Sequence, residues 1–160
     1  MSENNQASVL SFDAVPTQHQ ELKLWLRMLG CTTLIEKQLR QRFKTEFDTT
    51  LPRFDVLAAL YRHPEGLRMS DLSRWLMVSN GNATCVVNRL AADGLVNRAK
   101  RPGDKRTILV ELSETGQKEF ERQSAAHEQW LKELFGGLSQ TNLNRLQSLL
   151  DKAKQSVEAG

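Results

Sequence analysis

The sequence predicts a mainly α-helical protein with one small β-hairpin, and three observations support this fold class. Apolar residues recur at intervals of three or four along most of the chain, which is the spacing of amphipathic helices. Only residues 95–112 change to short apolar and β-branched segments on either side of a Pro-Gly turn. A length of 160 residues allows one compact core, or one core shared with a second copy of the chain.

The residue pattern of the N-terminal part predicts a polar arm followed by a long helix. Residues 1–16 are polar and end at Pro16, so we expect a loose arm. Within residues 17–48, apolar side chains recur mostly in steps of four, which predicts a helix about 45 Å long. One small core cannot cover such a length, so we expect one end of this helix to pack against a second chain.

Residues 49–112 predict three shorter helices and then the hairpin. Pro52 lies in the first turn of the first helix, which ends at His63–Gly66. Ser70 is the expected N-cap of a short second helix, and the third helix runs from about residue 80 to residue 92, ending at Asp93-Gly94. This order of helices followed by a basic hairpin is that of a winged helix-turn-helix, whose third helix enters the major groove of DNA.

Two further helices complete the chain in residues 113–160. Ser113 and Ser139 are their expected N-caps, and Gly136-Gly137 separates them. We assign residues 17–48 and 113–160 to dimerisation, and residues 49–112 to DNA binding. The apolar side chains expected at the dimer interface are Leu22, Trp130, Leu134, Leu143, Leu146 and Leu150.

The helix predicted at residues 80–92 has one apolar and one polar face. Ala83, Val86, Val87 and Leu90 share the face that we expect to be buried. Asparagine and arginine on the other face suit base edges, whereas a plain solvated face more often carries Glu and Lys. The expected base-reading or phosphate-binding residues are Ser79, Asn80, Asn82, Thr84, Asn88 and Arg89.

Positive charge is concentrated in the middle of the chain. Residues 51–112 hold ten basic and six acidic side chains, a net charge of +4, whereas the whole chain has a net charge of +3. Much of this excess lies in the hairpin, which we call the wing, and suggests a phosphate partner; a solvated charged turn is the alternative. The cationic residues of the wing are Arg98, Lys100, Arg101, Lys105 and Arg106.

The tip of the wing suits the minor groove of DNA. A narrow groove over A·T pairs attracts a guanidinium group, which Arg101 or Arg106 can supply. Asp104 would be repelled by phosphates unless it orients Arg106, so we assign it that role. A surface ion pair of little energetic value is the alternative for Asp104.

A series of short motifs surrounds the wing: Gly94-Leu95-Val96, Arg98, Pro102-Gly103-Asp104-Lys105-Arg106-Thr107, Val110-Glu111-Leu112-Ser113 and Gly116. This series resembles the wing signature of the MarR family of bacterial transcription regulators, and the resemblance covers about residues 20–155. It implies a homodimer of winged-helix subunits that binds a palindromic operator, usually as a repressor released by a small molecule. Asp104 and Arg106 match the family's wing positions, and residues 80–89 match its recognition helix. Ser113 stands where the family frequently has threonine, and keeps the hydroxyl N-cap.

A second series is Leu24-Trp25-Leu26-Arg27-Met28-Leu29, Cys31, Ile35-Glu36 and Thr49-Thr50-Leu51-Pro52-Arg53-Phe54-Asp55. It is similar to MarR-family regulators of aromatic-acid degradation, which implies an aromatic acid or its coenzyme A thioester as effector. Arg40, Arg42, Lys44 and Arg53 can bind the thioester's phosphates, although a solvated helix end is the alternative.

We expect the effector pocket between the first long helix and the DNA-binding region. Trp25, Met28, Phe43 and Phe54 would line it, and Arg42 or Arg53 would bind an anion. The alternative is that all four apolar residues belong to the core.

Other chemistries lack a motif in this sequence. A Gly-rich phosphate loop, a paired-His metal motif and a nucleophile arrangement are all missing, so we expect no enzyme, metal site or cofactor. Cys31 is expected to be a small buried hydrophobe, with oxidation sensing as the alternative, and Cys85 is expected to be exposed. No targeting or membrane segment is recognised, which predicts a cytoplasmic protein. The competing function is a helical adaptor that binds an acidic protein or RNA through the wing.

Overall fold

The computed structural model describes residues 19–101 and 104–159. Helices with one small sheet make up this part, as the sequence predicts; the predicted arm, residues 1–16, lies outside the described residues. The elements in chain order are α1 (Gln20–Phe47), α2 (Leu51–Tyr61), β1 (Leu67–Arg68), α3 (Met69–Trp75), α4 (Asn80–Ala92), β2 (Val96–Arg101), β3 (Asp104–Leu112), α5 (Glu114–Leu134) and α6 (Gln140–Glu158).

The chain divides after Asp48 into two compact units, of which the first contains α1. This helix has 28 residues, and its buried side chains are Leu39 and Phe43. It ends at Asp48, which has a left-handed backbone conformation with φ 46° and donates its N–H to the Phe43 carbonyl. The N-terminal half of α1 carries large exposed apolar side chains: Leu22, Leu24, Trp25 and Leu29.

The second unit is built around α2. Six of the eleven residues of this helix are buried, and it contacts α3, α4, α5 and β3. Phe54 and Tyr61 both pack against Phe120 of α5, with ring centroids 5.6 and 4.5 Å apart. Because α2 is apolar on nearly all sides, it forms the centre on which the other elements are arranged.

The sheet has three strands in the order β1-β3-β2, all antiparallel. The prediction of a two-stranded hairpin was incomplete, because β1 is only two residues long and pairs far along the chain, Leu67 with Val110 and Arg68 with Leu109. The prediction of Ser70 as an N-cap was wrong for a related reason. Arg68 is still extended in the sheet, so α3 begins directly at Met69 and Ser70 lies in its first turn.

Four residues, which we call the wing junction, fasten the base of the wing to α5: Gly94, Leu95, Ser113 and Gly116. Gly94 follows α4 with φ 70°, and Leu95 donates its N–H to the Leu90 carbonyl at 2.9 Å, which ends α4 in a Schellman-type turn. Ser113 donates its hydroxyl to the Gly94 carbonyl (2.7 Å) and its N–H to the Leu95 carbonyl (3.1 Å). The same hydroxyl accepts the N–H of Gly116 at 2.9 Å and so caps α5, as predicted.

Helix α6 has no buried residue. Its predicted N-cap, Ser139, accepts the N–H of Asn142 at 3.3 Å. Leu146, Leu149 and Leu150 are each more than two-fifths exposed, as expected for the outer stripe of this helix. In the described ranges, we find no helix whose length and apolar character would let it cross a membrane.

Candidate nucleic-acid interface

The turn between α3 and α4 holds the start of α4 in place. Ser79, which the sequence predicts only as a DNA-contacting residue, caps α4 by accepting the N–H of Asn82 at 3.3 Å. Val78 donates its N–H to the Ser73 carbonyl at 3.0 Å, and the buried Ser73 hydroxyl bonds the Asn80 side-chain oxygen. A backbone hydrogen bond therefore attaches the turn to α3, and a side-chain hydrogen bond attaches the first residue of α4.

Helix α4 has the two faces that its sequence predicts. Ala83, Val87 and Leu90 are buried, whereas Val86 is only half-buried. The predicted polar face lies at the surface, with Thr84 half-buried and Ser79, Asn80, Asn82, Asn88 and Arg89 exposed. The rest of the second unit therefore leaves this face uncovered, and a ligand can contact it.

The three asparagines of this face differ in their hydrogen bonds. The Asn80 side-chain oxygen accepts from Ser73, and that of Asn88 accepts from the Arg98 guanidinium of β2. The Asn82 carboxamide has no hydrogen-bonding partner within residues 19–101 and 104–159. Asn82 alone of the three thus presents both its donor and its acceptor unengaged.

The described cations of the wing lie on one face of β2. Arg98 and Lys100 are both exposed, and alternate residues of a strand point to the same side. The bond from Arg98 to Asn88 joins this face to α4. The wing strand and α4 therefore form one continuous polar surface, in which Arg98 is nearest to the helix.

The tip of the wing is described by its backbone only. Arg101 pairs with Asp104 where β2 meets β3, and Lys105 and Arg106 belong to β3. The side chains of these four residues lie outside what the structure describes, so their predicted contacts with DNA stay predictions, as does the Asp104–Arg106 pair.

The six predicted effector-binding residues are distributed over both units. In α1, Trp25 is 57% exposed, Met28 and Arg42 are half-buried, and Phe43 is buried. In α2, Phe54 is buried and its ring packs against those of Phe120 and His127, and Arg53 forms an ion pair of 2.5 Å with Asp93. Phe54 therefore has a core role, and Arg53 has a partner other than an effector.

A surface groove of about 350 Å³ lies beside the C-terminal end of α2. Leu60, Tyr61, Pro64, Leu112 and Gln117 line it, and none of the six predicted effector residues does. The predicted pocket remains a prediction.

Sequence reasoning missed a polar stripe on the buried side of α5. His127 lies 4.8 Å from the Phe54 ring, and burial lowers the pKa of His127 below its usual value. Gln123, one turn earlier, is almost fully buried; its Nε2 donates to Glu119 at 2.6 Å, while its Oε1 has no hydrogen-bonding partner among the described residues. The four-residue spacing of Gln123 and His127 places them on one helix face and could have predicted that they share an environment. Burial was not predicted because both side chains are polar.

The two cysteines are both free and both exposed. The expectation for Cys85 is confirmed, whereas the expectation that Cys31 is buried was wrong. Cys31 lies in the N-terminal half of α1, where the large apolar side chains are exposed as well. Among the described residues, no cluster of His, Cys, Asp or Glu could hold a metal ion.

Comparison with known proteins gives consistent similarities. A family model described as "MarR family" matches residues 49–108, which run from the start of α2 into the wing. The uncharacterized HTH-type transcriptional regulator YkoM of Bacillus subtilis is 34% identical over 119 residues, which cover 74% of this chain and 75% of YkoM. The HTH-type transcriptional repressor IacR of Pseudomonas putida is 28% identical over 121 residues, or 76% of this chain and 72% of IacR. A MarR family transcriptional regulator of known structure from Silicibacter pomeroyi has a TM-score of 0.76 and 31% identity, covering 89% of this chain and 99% of that one.

Proposed function

This chain belongs to the MarR family of transcriptional regulators, and on that premise we propose that it is a homodimeric repressor that binds a palindromic DNA operator and is released by an aromatic effector. The observation that carries the DNA-binding part is the exposed amide-rich face of α4, joined to a cationic strand through Arg98 and Asn88. Such a surface combines groups that read base edges with groups that bind phosphates. The name of the relative IacR supports repression as the mode of action.

Asn82 is the adenine-reading residue in this proposal. An asparagine recognises adenine by donating to N7 and accepting from N6, which needs both ends of its carboxamide. Of the three asparagines on this face, only Asn82 has both ends unengaged by the described residues, since the oxygens of Asn80 and Asn88 accept from Ser73 and Arg98. Asn80 and Asn88 therefore act as donors, to phosphates or to purine N7 and O6.

The exposed cations of α4 and β2 provide the phosphate contacts. Arg89, Arg98 and Lys100 are exposed and can each neutralise a phosphate, which gives binding its salt dependence. Arg101 or Arg106 at the wing tip enters the minor groove, Lys105 adds a phosphate contact, and Asp104 orients Arg106. Ser79 acts indirectly, because its hydroxyl caps α4 and so fixes the position of Asn82.

The apolar faces of the terminal helices form the homodimer interface. Leu22 of α1 and Leu146 and Leu150 of α6 are each more than two-fifths exposed, and a second copy of the chain would cover them. Trp130 does not belong in this set, contrary to the sequence prediction, because only 4% of it is exposed in one subunit. Removing α6 before Ser139 should give a monomer or an aggregate in sedimentation experiments; a well-behaved dimer would locate the interface elsewhere.

The DNA-binding proposal is tested by selection from random duplexes at fixed salt. We expect one palindromic duplex, with half-sites about one helical turn apart, to bind at least about 10³-fold more tightly than random duplex. Equal affinity for the selected duplex and for a scrambled duplex would refute the proposal that this protein is a sequence-specific repressor. Preference for RNA or for an acidic protein would establish the adaptor instead.

The role of Asn82 has a matched control in α6. Asn82 and Asn142 both occupy the third helical position after a serine N-cap, with the same 3.3 Å bond to the serine hydroxyl. Asn82→Ala should weaken binding to the operator by about 1 to 3 kcal/mol and lose discrimination at one A·T pair. Asn142→Ala should leave DNA binding unchanged. A loss that is uniform across all duplexes would reassign Asn82 to the phosphate backbone.

The effector proposal rests on α1. Trp25 and Met28 offer aromatic and thioether contact area, and Arg42 offers a cation for a carboxylate or phosphate. A coenzyme A thioester would oppose DNA binding through its negative charge, whereas a free aromatic acid would have to change the spacing of the two α4 helices. Titration of a phenylpropenoic acid and of its thioester against the protein–operator complex separates the two mechanisms. Trp25→Ala should weaken release, and Leu34→Ala, also exposed on α1, is the control; release by neither compound would exclude an aromatic effector.

A further inference from the structure

Met77 has an unusual environment in the turn between α3 and α4. Its backbone φ is 55°, in the left-handed region that residues other than glycine rarely adopt. Its side chain is 93% exposed, the highest value among the large apolar side chains that the structure describes. The fold thus holds a long apolar side chain in solvent at a position that suits glycine.

The stability of the isolated subunit gives no reason for a methionine here. A glycine would adopt this backbone without strain, and a polar residue would be better solvated. Met77 is the left-handed residue with which α3 ends in a Schellman-type turn, a position that glycine usually occupies. The turn is well held, because Met77 donates its N–H to the Arg74 carbonyl at 3.2 Å and Val78 donates to Ser73 at 3.0 Å.

Met77 lies close to the N-terminal end of α4, which is the end that we propose reads DNA. It precedes the N-cap Ser79 by two residues, so its Cα lies within about 7 Å of the cap along the chain. A methionine side chain is long and flexible enough to extend over that distance. If α4 enters a major groove about 12 Å wide by its N-terminal end, Met77 enters at the rim of the same groove.

The major groove offers one apolar group to such a side chain, the C5-methyl group of thymine. Phosphates along the groove are charged, and the other base edges present mainly hydrogen-bonding groups. We propose that Met77 is a specificity-determining residue that packs against a thymine methyl group in each operator half-site. This inference rests on the proposed DNA-binding function, and it adds a base-reading residue outside the helix itself.

The test replaces thymine by uracil, which removes the methyl group and keeps all hydrogen-bonding groups. The wild-type dimer should lose about fourfold in affinity per half-site at one thymine position, the equivalent of about 0.8 kcal/mol for one buried methyl group. Met77→Ala should bind the thymine operator correspondingly more weakly and be insensitive to uracil at that position. Met77→Leu, which keeps an apolar side chain, should retain the preference for thymine.

Met77→Gly distinguishes a DNA contact from a structural role. It should raise the melting temperature of the free protein, because the strain is relieved, and yet lower the affinity for the thymine operator. Equal sensitivity to uracil in wild type and Met77→Ala at every position would overturn the inference while leaving DNA binding intact. Failure of the wild-type protein to select any duplex would overturn the proposed function, and this inference with it.

Discussion

Replacing Gly116 by alanine tests how tightly the wing is fastened to α5. An added Cβ at this position would lie 1.8 Å from the carbonyl oxygen of Leu95 and 2.8 Å from its carbonyl carbon. A carbon and an oxygen pack no closer than about 3.3 Å, so the two segments must separate by about 1.5 Å. The obstructing atoms belong to the backbone, and no side-chain rotation can relieve the clash.

The size of the effect follows from the bonds at the wing junction. Separation stretches the bonds from Ser113 to the carbonyls of Gly94 and Leu95, now 2.7 and 3.1 Å long. Losing two such bonds costs about 2 kcal/mol, and overpacking adds about 1 to 3 kcal/mol. The better helix propensity of alanine offsets about 1 kcal/mol, which leaves a net loss of about 2 to 4 kcal/mol. For a chain of this size we expect the melting temperature to fall by about 4 to 16 °C.

Thermal denaturation followed by circular dichroism measures this loss, and Gly81→Ala is the matched control. Gly81 also lies in the first turn of a helix, but no atom is within 4 Å of the Cβ that it would gain. Its replacement should leave the melting temperature unchanged or raise it slightly, because alanine adds up to about 1 kcal/mol to the free energy of unfolding. If Gly116→Ala melts within 2 °C (roughly 1 kcal/mol) of wild type, the wing junction is not as closely packed as described.

Three other perturbations have defined outcomes. Burial lowers the pKa of His127, so its contribution to the free energy of unfolding is complete above about pH 6.5 and is lost as the pH falls through the folded-state pKa. In urea denaturation from pH 8 to 5, the free energy of unfolding should depend less on pH in His127→Gln than in wild type. The same pH dependence in both proteins would mean that His127 is not the titrating group. Arg53→Met and Asp93→Asn should each destabilise the protein by about 1 kcal/mol or less and show coupling in the double variant, whereas additive effects would mean that the ion pair contributes nothing. Arg106→Ala should weaken operator binding by about 1 to 3 kcal/mol and lower the salt slope by about one with the dimer intact; an unchanged slope would mean that the wing does not engage DNA.

The helix starts that depend on local chemistry were predictable from the sequence. Ser113 and Ser139 each cap a helix as expected, because the hydroxyl, the N–H that it accepts and the first helical turn lie within four residues. The polar face of α4 was predictable for the same reason, since the helical period alone decides which side chains share a face. A pattern that is contained in one element can be recognised in that element's sequence.

The features that the sequence did not reveal depend on distant partners. The two residues of β1 are a strand only because β3 lies beside them, and no two-residue pattern could predict it. The different states of Asn80, Asn82 and Asn88 depend on Ser73 and on Arg98, which lies ten residues beyond Asn88. Three chemically identical side chains on one face thus acquire different capacities through contacts that composition cannot reveal.

The wing junction also lies at the base of a long arm, so a small change of angle there would be enlarged at the tip. Strand β2 has six residues, so the tip of the wing lies about 20 Å from the junction. A tilt of about 10° at the junction would carry the tip through about 3.5 Å, close to the 3.4 Å rise between neighbouring nucleotides. If the wing binds an operator as proposed, a tilt of this size at the wing junction would therefore move its tip by about one nucleotide along the DNA.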